Sequence, residues 1–159
     1  MPVPVVGTLA PDFTLPSTSG GPVTLSGYRG AHAVLLAFFP LAFSGVCTTE
    51  MCAFTEDYDR FAAHGVVVHP ISVDSTYALE AFRAKHAMRV DLLSDFKRDV
   101  SALYGVLLPE RLFSNRAYFL IDVDGIVRWA HVEEHPGRRR ENAEILLEIA
   151  KLGSATGVR

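Results

Sequence analysis

Apolar residues occur along the chain in blocks that predict strands and helices in alternation. Residues 34–39 are all apolar, which is typical of a strand buried on both faces, and Pro40 ends this run. From about Cys47 to residue 64, apolar side chains recur at spacings of three and four, as in an amphipathic helix. Gly65 ends that helix, and residues 66–73 predict a second buried strand.

The second half of the chain adds a helix, a hairpin and a closing helix. Asp74 or Ser75 is expected to cap the helix that follows the second strand. Residues 118–122 and 126–130 flank the sequence Val-Asp-Gly, which is a strong hairpin signal. The last apolar stripe with helical spacing predicts a closing helix that stops near Gly153.

This order of elements predicts the fold class. Two buried strands joined by a helix form a βαβ unit with a parallel core, and the hairpin adds antiparallel strands to it. The pattern matches a thioredoxin-like α/β sandwich, with a central mixed β-sheet flanked by helices. A length of 159 residues suits one domain, so we expect residues 1–159 to form a single domain.

Composition narrows the functional classes. With 49% hydrophobic and 21% charged residues, the chain is expected to be globular. A net charge of −3 gives no electrostatic reason to bind nucleic acid or an anionic membrane. No apolar run approaches the about 20 residues that span a bilayer, and the first residues do not resemble a secretory signal. We therefore expect a cytoplasmic protein, and its pair of close cysteines fits a reducing compartment.

Both cysteines of the chain, Cys47 and Cys52, lie in the first predicted helix. Unpaired N–H groups and the helix dipole favour an anion in the first turn, where Cys47 falls. Converting a free thiol mostly to thiolate at neutral pH takes about 3 kcal/mol, whereas a helix terminus supplies about 0.3–1 kcal/mol. A cation is therefore needed, and Arg116, just before the first hairpin strand, is the candidate. Pairing of Arg116 with Asp122 or Asp95 is the alternative.

A hydroxyl also lies close to Cys47 in sequence. Ser44, three residues earlier, can turn its hydroxyl toward the sulfur or toward a bound oxygen ligand, because a hydroxyl is both donor and acceptor. Together with Arg116 and the loop N–H groups, Ser44 would form a small polar pocket. A peroxide suits such a pocket, because the thiolate attacks one oxygen while fixed donors stabilise the charge that grows on the other.

These residues carry a family resemblance. The pattern Pro40-x-x-x-Ser44-x-x-Cys47 resembles the peroxiredoxin active-site motif, with serine where threonine is more usual. Residues 116–122 are similar to the arginine-bearing strand of that family, and further landmarks follow in order over about residues 5–152. The resemblance implies that hydroperoxide oxidises Cys47 to a sulfenic acid, in a pocket formed by Pro40, Ser44 and Arg116. It also implies recycling by thioredoxin or a glutaredoxin-like reductant.

Two subfamily resemblances differ over Cys52. The spacing from Cys47 to Cys52 resembles the peroxiredoxin Q (bacterioferritin comigratory protein) subfamily, in which the second cysteine resolves the sulfenic acid. Residues 38–43 look like the AhpE-type subfamily, whose members work with one cysteine. On an intact helix the two Cα atoms would lie roughly 8–9 Å apart, beyond the about 7 Å that a disulfide spans. A Cys47–Cys52 disulfide therefore requires the helix to unwind. Alternatively, Cys52 is a buried structural residue.

Other polar residues have weaker assignments. Glu50 could be stabilised by the helix dipole or could pair with Arg116 and orient it, and the peroxiredoxin Q resemblance supports the second role. The six histidines show no metal-ligand spacing, so neither a metal nor a cofactor is predicted. Residues 138–140, all arginine, are expected to be solvated. Phe43 and Trp129 could contact a second copy, so the protein is expected to be a monomer or a homodimer.

The leading hypothesis is a thiol peroxidase that reduces hydrogen peroxide and organic hydroperoxides. The alternatives are a one-cysteine peroxidase and a peroxide-sensing switch protein in which oxidation of Cys47 changes a partner surface with little turnover. A thioredoxin-like disulfide reductase is disfavoured, because the chain has no Cys-x-x-Cys.

Overall fold

The structure is a computed structural model that describes residues 2–155, with side chains as far as residue 152. A 3₁₀ turn spans Leu25–Tyr28. The strands are β1 (Thr14–Leu15), β2 (Val23–Thr24), β3 (Ala33–Phe38), β4 (Val66–Ser72), β5 (Leu93–Ser94), β6 (Leu107–Leu108), β7 (Phe113–Ser114), β8 (Ala117–Ile121) and β9 (Val127–Val132). The helices are α1 (Gly45–Glu56), α2 (Tyr58–Ala63), α3 (Thr76–Lys85), α4 (Asp99–Leu103) and α5 (Asn142–Ala155).

Five strands form the central sheet in the order β5-β4-β3-β8-β9. The pairs β3–β4 and β4–β5 are parallel, whereas β3–β8 and β8–β9 are antiparallel. Every residue of β3 is buried, as its unbroken apolar sequence predicts for the middle strand of a covered sheet. The predicted mixed sheet is therefore confirmed.

Alternate residues of β3 feed two hydrophobic cores. Leu35 and Ala37 face a core that includes side chains from α1, α2, α3 and α5. Leu36 and Phe38 face the other core, which is covered by the N-terminal residues, the 3₁₀ turn and α4. Because successive strand residues point to opposite faces, one apolar run fills both cores. Among the described residues, no helix has the length and apolar character needed to cross a membrane.

The helix predicted from Cys47 to residue 64 is in fact two helices. The chain breaks at Asp57, which has φ −97° and ψ 13°. Asn142, from α5, donates hydrogen bonds to the Ala53 carbonyl and to the Asp57 carboxylate, both at 2.9 Å. This contact from another helix supports the break, and no local spacing in the sequence could indicate it. The first of the two helices begins at Gly45, two residues before Cys47.

The closing helix also differs from the prediction, since α5 continues through Gly153 to Ala155. A single glycine costs a helix about 1 kcal/mol, which need not end it. The pattern of apolar residues does not predict α4, because five residues are too few to establish a helical period. Asp95 supports this short helix by accepting hydrogen bonds from the backbone N–H groups of Val100, at 3.1 Å, and Ser101, at 2.7 Å.

Of the two cap candidates, Ser75 caps α3, since its hydroxyl oxygen accepts a hydrogen bond from the N–H of Ala78 at 3.2 Å. Ser75→Ala is expected to lower the free energy of unfolding by about 1 kcal/mol, because one N–H at the helix start loses its partner. Ser75→Asn is the matched control and is expected to retain stability, because asparagine caps as well as serine. Urea unfolding measures both. Equal stability of Ser75→Ala and the native protein would contradict the assignment.

Candidate active site

The loop between β3 and α1 positions Cys47 beside the central sheet. Asp74 accepts a hydrogen bond from the Ala42 N–H at 2.8 Å, which anchors the middle of the loop. Phe43 has a φ of 69°, in the left-handed region, and its ring packs on Phe82 with the ring centroids 4.9 Å apart. Cys47 is the third residue of α1, and none of its surface is exposed. The thiol therefore lies in the first turn of the helix and points into the protein.

The strand order brings Arg116 to the same place. Arg116 directly precedes β8, and its neighbour Ala117 pairs with Phe38 at the end of β3. Because the two strands are antiparallel, the start of β8 lies beside the loop that leads to α1. The Arg116 side chain is 1% exposed, and its Nη2 donates a hydrogen bond to the Cys47 sulfur at 3.0 Å. Pro136 accepts from Arg116 Nε at 3.2 Å and from Nη2 at 3.0 Å.

A carboxylate shares this guanidinium. Glu50 is fully buried, and its Oε1 accepts from Arg116 Nη1 at 2.8 Å. Burial raises the pKa of Glu50 above its ordinary value, although the positive charge of Arg116 and a hydrogen bond from Tyr118 oppose this. Burial by itself would lower the pKa of Arg116, but Glu50 and Cys47 outweigh it and raise that pKa. Arg116 is therefore a permanent buried cation between a carboxylate and a sulfur.

The alternative partners of Arg116 are engaged elsewhere. Asp122 binds Arg128, with Arg128 Nε 2.5 Å from Asp122 Oδ2. Both carboxylate oxygens of Asp95 accept backbone N–H groups at the start of α4. The interpretation of Arg116 as an ordinary strand-end arginine that pairs with Asp122 or Asp95 is therefore wrong.

An open depression lies above the buried guanidinium. Pro40, Ser44 and Arg116, which the sequence groups together, all line it. The other lining residues are Leu41, Gly45, Val46, Phe113, Pro136 and Gly137. Ser44 is exposed, and its hydroxyl donates to the Leu41 carbonyl at 2.9 Å rather than to the sulfur. The Ser44 hydroxyl must therefore rotate before it can donate a hydrogen bond to a ligand in the depression.

Cys52 lies on the same helix as Cys47, and both thiols are free. The helix α1 is continuous from Gly45 to Glu56, and Cys52 is partly buried within it. Five helical residues separate the Cα atoms by more than a disulfide spans, so the two sulfurs cannot join while α1 is intact.

Sequence reasoning missed the residues that enclose Arg116 and Glu50 from the far side. Residues 133–141, which we call the closing segment, connect β9 to α5 and supply the Pro136 carbonyl. Within this segment, Arg140 donates its backbone N–H to the Tyr118 hydroxyl at 2.9 Å and pairs through Nε with Glu133 at 2.8 Å. The expectation that residues 138–140 are solvated is correct only for Arg138, because Arg139 and Arg140 are partly buried. Only the apolar Pro136 and the clustered charges gave any signal in the sequence.

Comparison with known proteins identifies the class. The model of the AhpC/TSA family matches residues 6–130, and the chain belongs to this peroxiredoxin family. Alkyl hydroperoxide reductase E of Mycobacterium tuberculosis is 38% identical over 138 residues, which are 86% of this chain and 90% of that protein. The putative peroxiredoxin bcp of Coxiella burnetii is 35% identical over 147 residues, or 84% of this chain and 97% of that protein. The relatives therefore include both an alkyl hydroperoxide reductase E and a bacterioferritin comigratory-type peroxiredoxin.

A solved structure agrees with the fold. Reduced Plasmodium vivax 2-Cys peroxiredoxin matches with a TM-score of 0.87 and 33% identity, covering 96% of this chain and 84% of the other. The predicted thioredoxin-like fold is therefore confirmed. The protein is an enzyme with thiol-dependent peroxidase activity.

Replacing Arg116 tests the geometry of the cation. Arg116→Lys keeps the charge, but an ammonium cannot contact Cys47, Glu50 and Pro136 in one plane. We expect the reaction of the protein with hydrogen peroxide to slow by about 10- to 100-fold, as for loss of a charge-assisted hydrogen bond. Stopped-flow kinetics measures the rate constant. Arg128→Lys, on the exposed side of the hairpin, is the control and is expected to react normally. An unchanged rate in Arg116→Lys would contradict the assignment.

Proposed function

We propose that Cys47 is the peroxidatic residue of this enzyme. The thiolate sulfur attacks one oxygen of a hydroperoxide, an S–O bond forms and the O–O bond breaks. The second oxygen leaves as water or alcohol after taking a proton, and the sulfur, oxidised by two electrons, becomes a sulfenic acid. The 3.0 Å contact between Arg116 Nη2 and the buried Cys47 sulfur carries this proposal, because it supplies the cation that the helix terminus alone does not.

The depression supports the assignment of the substrate site. Arg116 offers donors to a peroxide oxygen, and rotation of the Ser44 hydroxyl away from Leu41 would add another. Pro40 shapes the wall, and the apolar Val46 and Phe113 leave room for an organic substituent beside the peroxide. We therefore propose that hydrogen peroxide and organic hydroperoxides reach Cys47 through this depression.

We propose that Cys52 resolves the sulfenic acid. Its thiol attacks the oxidised sulfur of Cys47, a disulfide forms, and the sulfenic oxygen leaves as water. The helix α1 must open first, and its first turns are suited to opening, because Gly45 and the two threonines at 48 and 49 have modest helix propensity. A dithiol reductant, thioredoxin or a glutaredoxin-like protein, would then restore both thiols by exchange.

A second candidate is a one-cysteine peroxidase in which Cys52 is structural. The partial burial of Cys52 within the continuous α1 supports it, as does the similarity to an alkyl hydroperoxide reductase E. A peroxide-sensing switch with little turnover, unlike the peroxidase that the family indicates, would consume peroxide only once. Peroxide consumption with thioredoxin, thioredoxin reductase and NADPH separates the two. The cytoplasmic location and the choice between monomer and homodimer stay predictions.

Intact mass spectrometry after one equivalent of hydrogen peroxide tests both cysteines. We expect the native protein to lose two hydrogens, Cys52→Ser to gain one oxygen, and Cys47→Ser to stay unchanged. If the native protein instead gains one oxygen, the resolving role of Cys52 is contradicted, whereas the role of Cys47 stands. Oxidation of Cys47→Ser as fast as the native protein would contradict the role of Cys47. In the assay with thioredoxin, thioredoxin reductase and NADPH, we expect Cys52→Ser to consume peroxide more slowly than the native protein. Its first oxidation by peroxide is expected to keep the native rate.

A further inference from the structure

Tyr118 links the buried carboxylate of the site to the closing segment. It lies on β8, between β3 and the edge strand β9, and none of its surface is exposed. Its hydroxyl donates a hydrogen bond to Glu50 Oε2 and accepts one from the Arg140 backbone N–H at 2.9 Å. The chemistry proposed above for Cys47 and Cys52 does not use this hydroxyl.

The direction of the hydrogen bond between Tyr118 and Glu50 follows from their electrostatics. Burial raises the pKa of Tyr118 far above its ordinary value, and the neighbouring Glu50 raises it further. The hydroxyl therefore keeps its proton, and because the Arg140 N–H can only donate to it, that proton is directed at Glu50. The neutral Tyr118 hydroxyl therefore occupies Glu50 Oε2.

This occupation determines how Glu50 can bind Arg116. A free carboxylate tends to bind a guanidinium through both oxygens, in two parallel hydrogen bonds. Such a pairing would draw Arg116 Nη2 toward Glu50 and away from the Cys47 sulfur. With Oε2 held by Tyr118, only Oε1 faces the guanidinium, at 2.8 Å from Nη1, and Nη2 stays 3.0 Å from the sulfur.

The charged and titratable groups around this pair come from every element packed against it. Those that act on Glu50 are Arg116 directly before β8, Tyr118 on β8 and Arg139 in the closing segment. Cys47, on the same helix as Glu50, contacts the Arg116 guanidinium. The Tyr118 ring lies against Trp129 and His131 of β9, with centroids 6.1 Å and 6.4 Å away. Glu133 sits 3.3 Å from His131 Nε2 and pairs with Arg140.

We propose that Tyr118 is a positioning residue for peroxide reduction, which keeps Glu50 bound to Arg116 through one oxygen so that the guanidinium remains available to Cys47. Tyr118 touches neither the sulfur nor the substrate, and it acts through Glu50 and Arg116. This inference rests on the proposed role of Cys47.

Tyr118→Phe removes the donor and leaves the ring in place. We expect the rate constant for Cys47 oxidation by hydrogen peroxide to fall about 10-fold where Glu50 is ionised, as for loss of one hydrogen bond to a charged group. In a Glu50→Gln background, Tyr118→Phe is expected to change the rate less than about twofold, because no carboxylate remains to be held. Rapid-quench intact mass spectrometry measures all four proteins.

The pH profile distinguishes positioning from loosened packing. The Tyr118 hydrogen bond lowers the pKa of Glu50, so removing it raises that pKa further. The inflection that Glu50 contributes to the rate profile is therefore expected to move to higher pH in Tyr118→Phe and to be absent in Glu50→Gln. An inflection at the same pH in Tyr118→Phe and the native protein would overturn the proposal.

Tyr104→Phe is the matched control. Tyr104 is also fully buried, and its hydroxyl donates to the Pro11 carbonyl at 2.7 Å in the core on the other face of the sheet. We expect this variant to oxidise Cys47 at the native rate. Equal rates for Tyr118→Phe and Tyr104→Phe, or an equal effect of Tyr118→Phe with and without Glu50, would overturn the role of Tyr118. Undiminished peroxide reduction by Cys47→Ser would instead overturn the proposed function.

Discussion

One buried guanidinium, shared by a sulfur and a carboxylate, is the constraint on which the site depends. Moving an arginine from water into a protein costs several kcal/mol unless every donor finds a partner. Cys47, Glu50 and the Pro136 carbonyl together accept four hydrogen bonds from Arg116, whose guanidinium has five N–H donors. Two of these partners lie on α1 and the third lies in the closing segment, so the cation can be buried only when β8, α1 and the closing segment are all in place.

The start of a helix and a buried cation both act at the position of Cys47. The first turn of a helix favours an anion by about 0.3–1 kcal/mol, and a hydrogen bond to a charged group adds about 1.5–3 kcal/mol. Cys47 lies in the first turn of α1 and accepts a hydrogen bond from Arg116, so both contributions act at its sulfur. Opening α1 would remove both contributions from Cys47 at once. The opening that the proposed Cys47–Cys52 disulfide requires would therefore also break the contact between Cys47 and Arg116.

The sequence predicted the parts of the site that depend on the order of the strands. An unbroken apolar run identified β3, and the apolar run after Arg116 identified β8. Antiparallel pairing of these two strands is enough to bring Arg116 to Cys47. The break at Asp57, the Pro136 contact and the Tyr118 hydrogen bond could not be predicted. They depend on side chains and carbonyls that meet only after α5 and the closing segment have packed.

Ser44 is a second residue whose position could be predicted from the sequence while its contacts could not. Its position beside the pocket follows from its spacing to Cys47, whereas the direction of its hydroxyl depends on the conformation of the loop that Asp74 and Phe82 hold. The spacing of Glu50 one turn after Cys47 placed it near Arg116, but its complete burial comes from tertiary packing. Local pattern thus gives position along an element, and tertiary packing gives the contacts.

The most direct test of the shared cation is nuclear magnetic resonance of the arginine guanidinium groups in the reduced protein. Arg116 is expected to give slowly exchanging Nη signals, assigned by their loss in Arg116→Lys. Cys47→Ser is predicted to shift one of these signals and Glu50→Gln another, because sulfur and carboxylate bind different nitrogens of one side chain. Arg116 signals that are unaffected by Cys47→Ser would contradict the account.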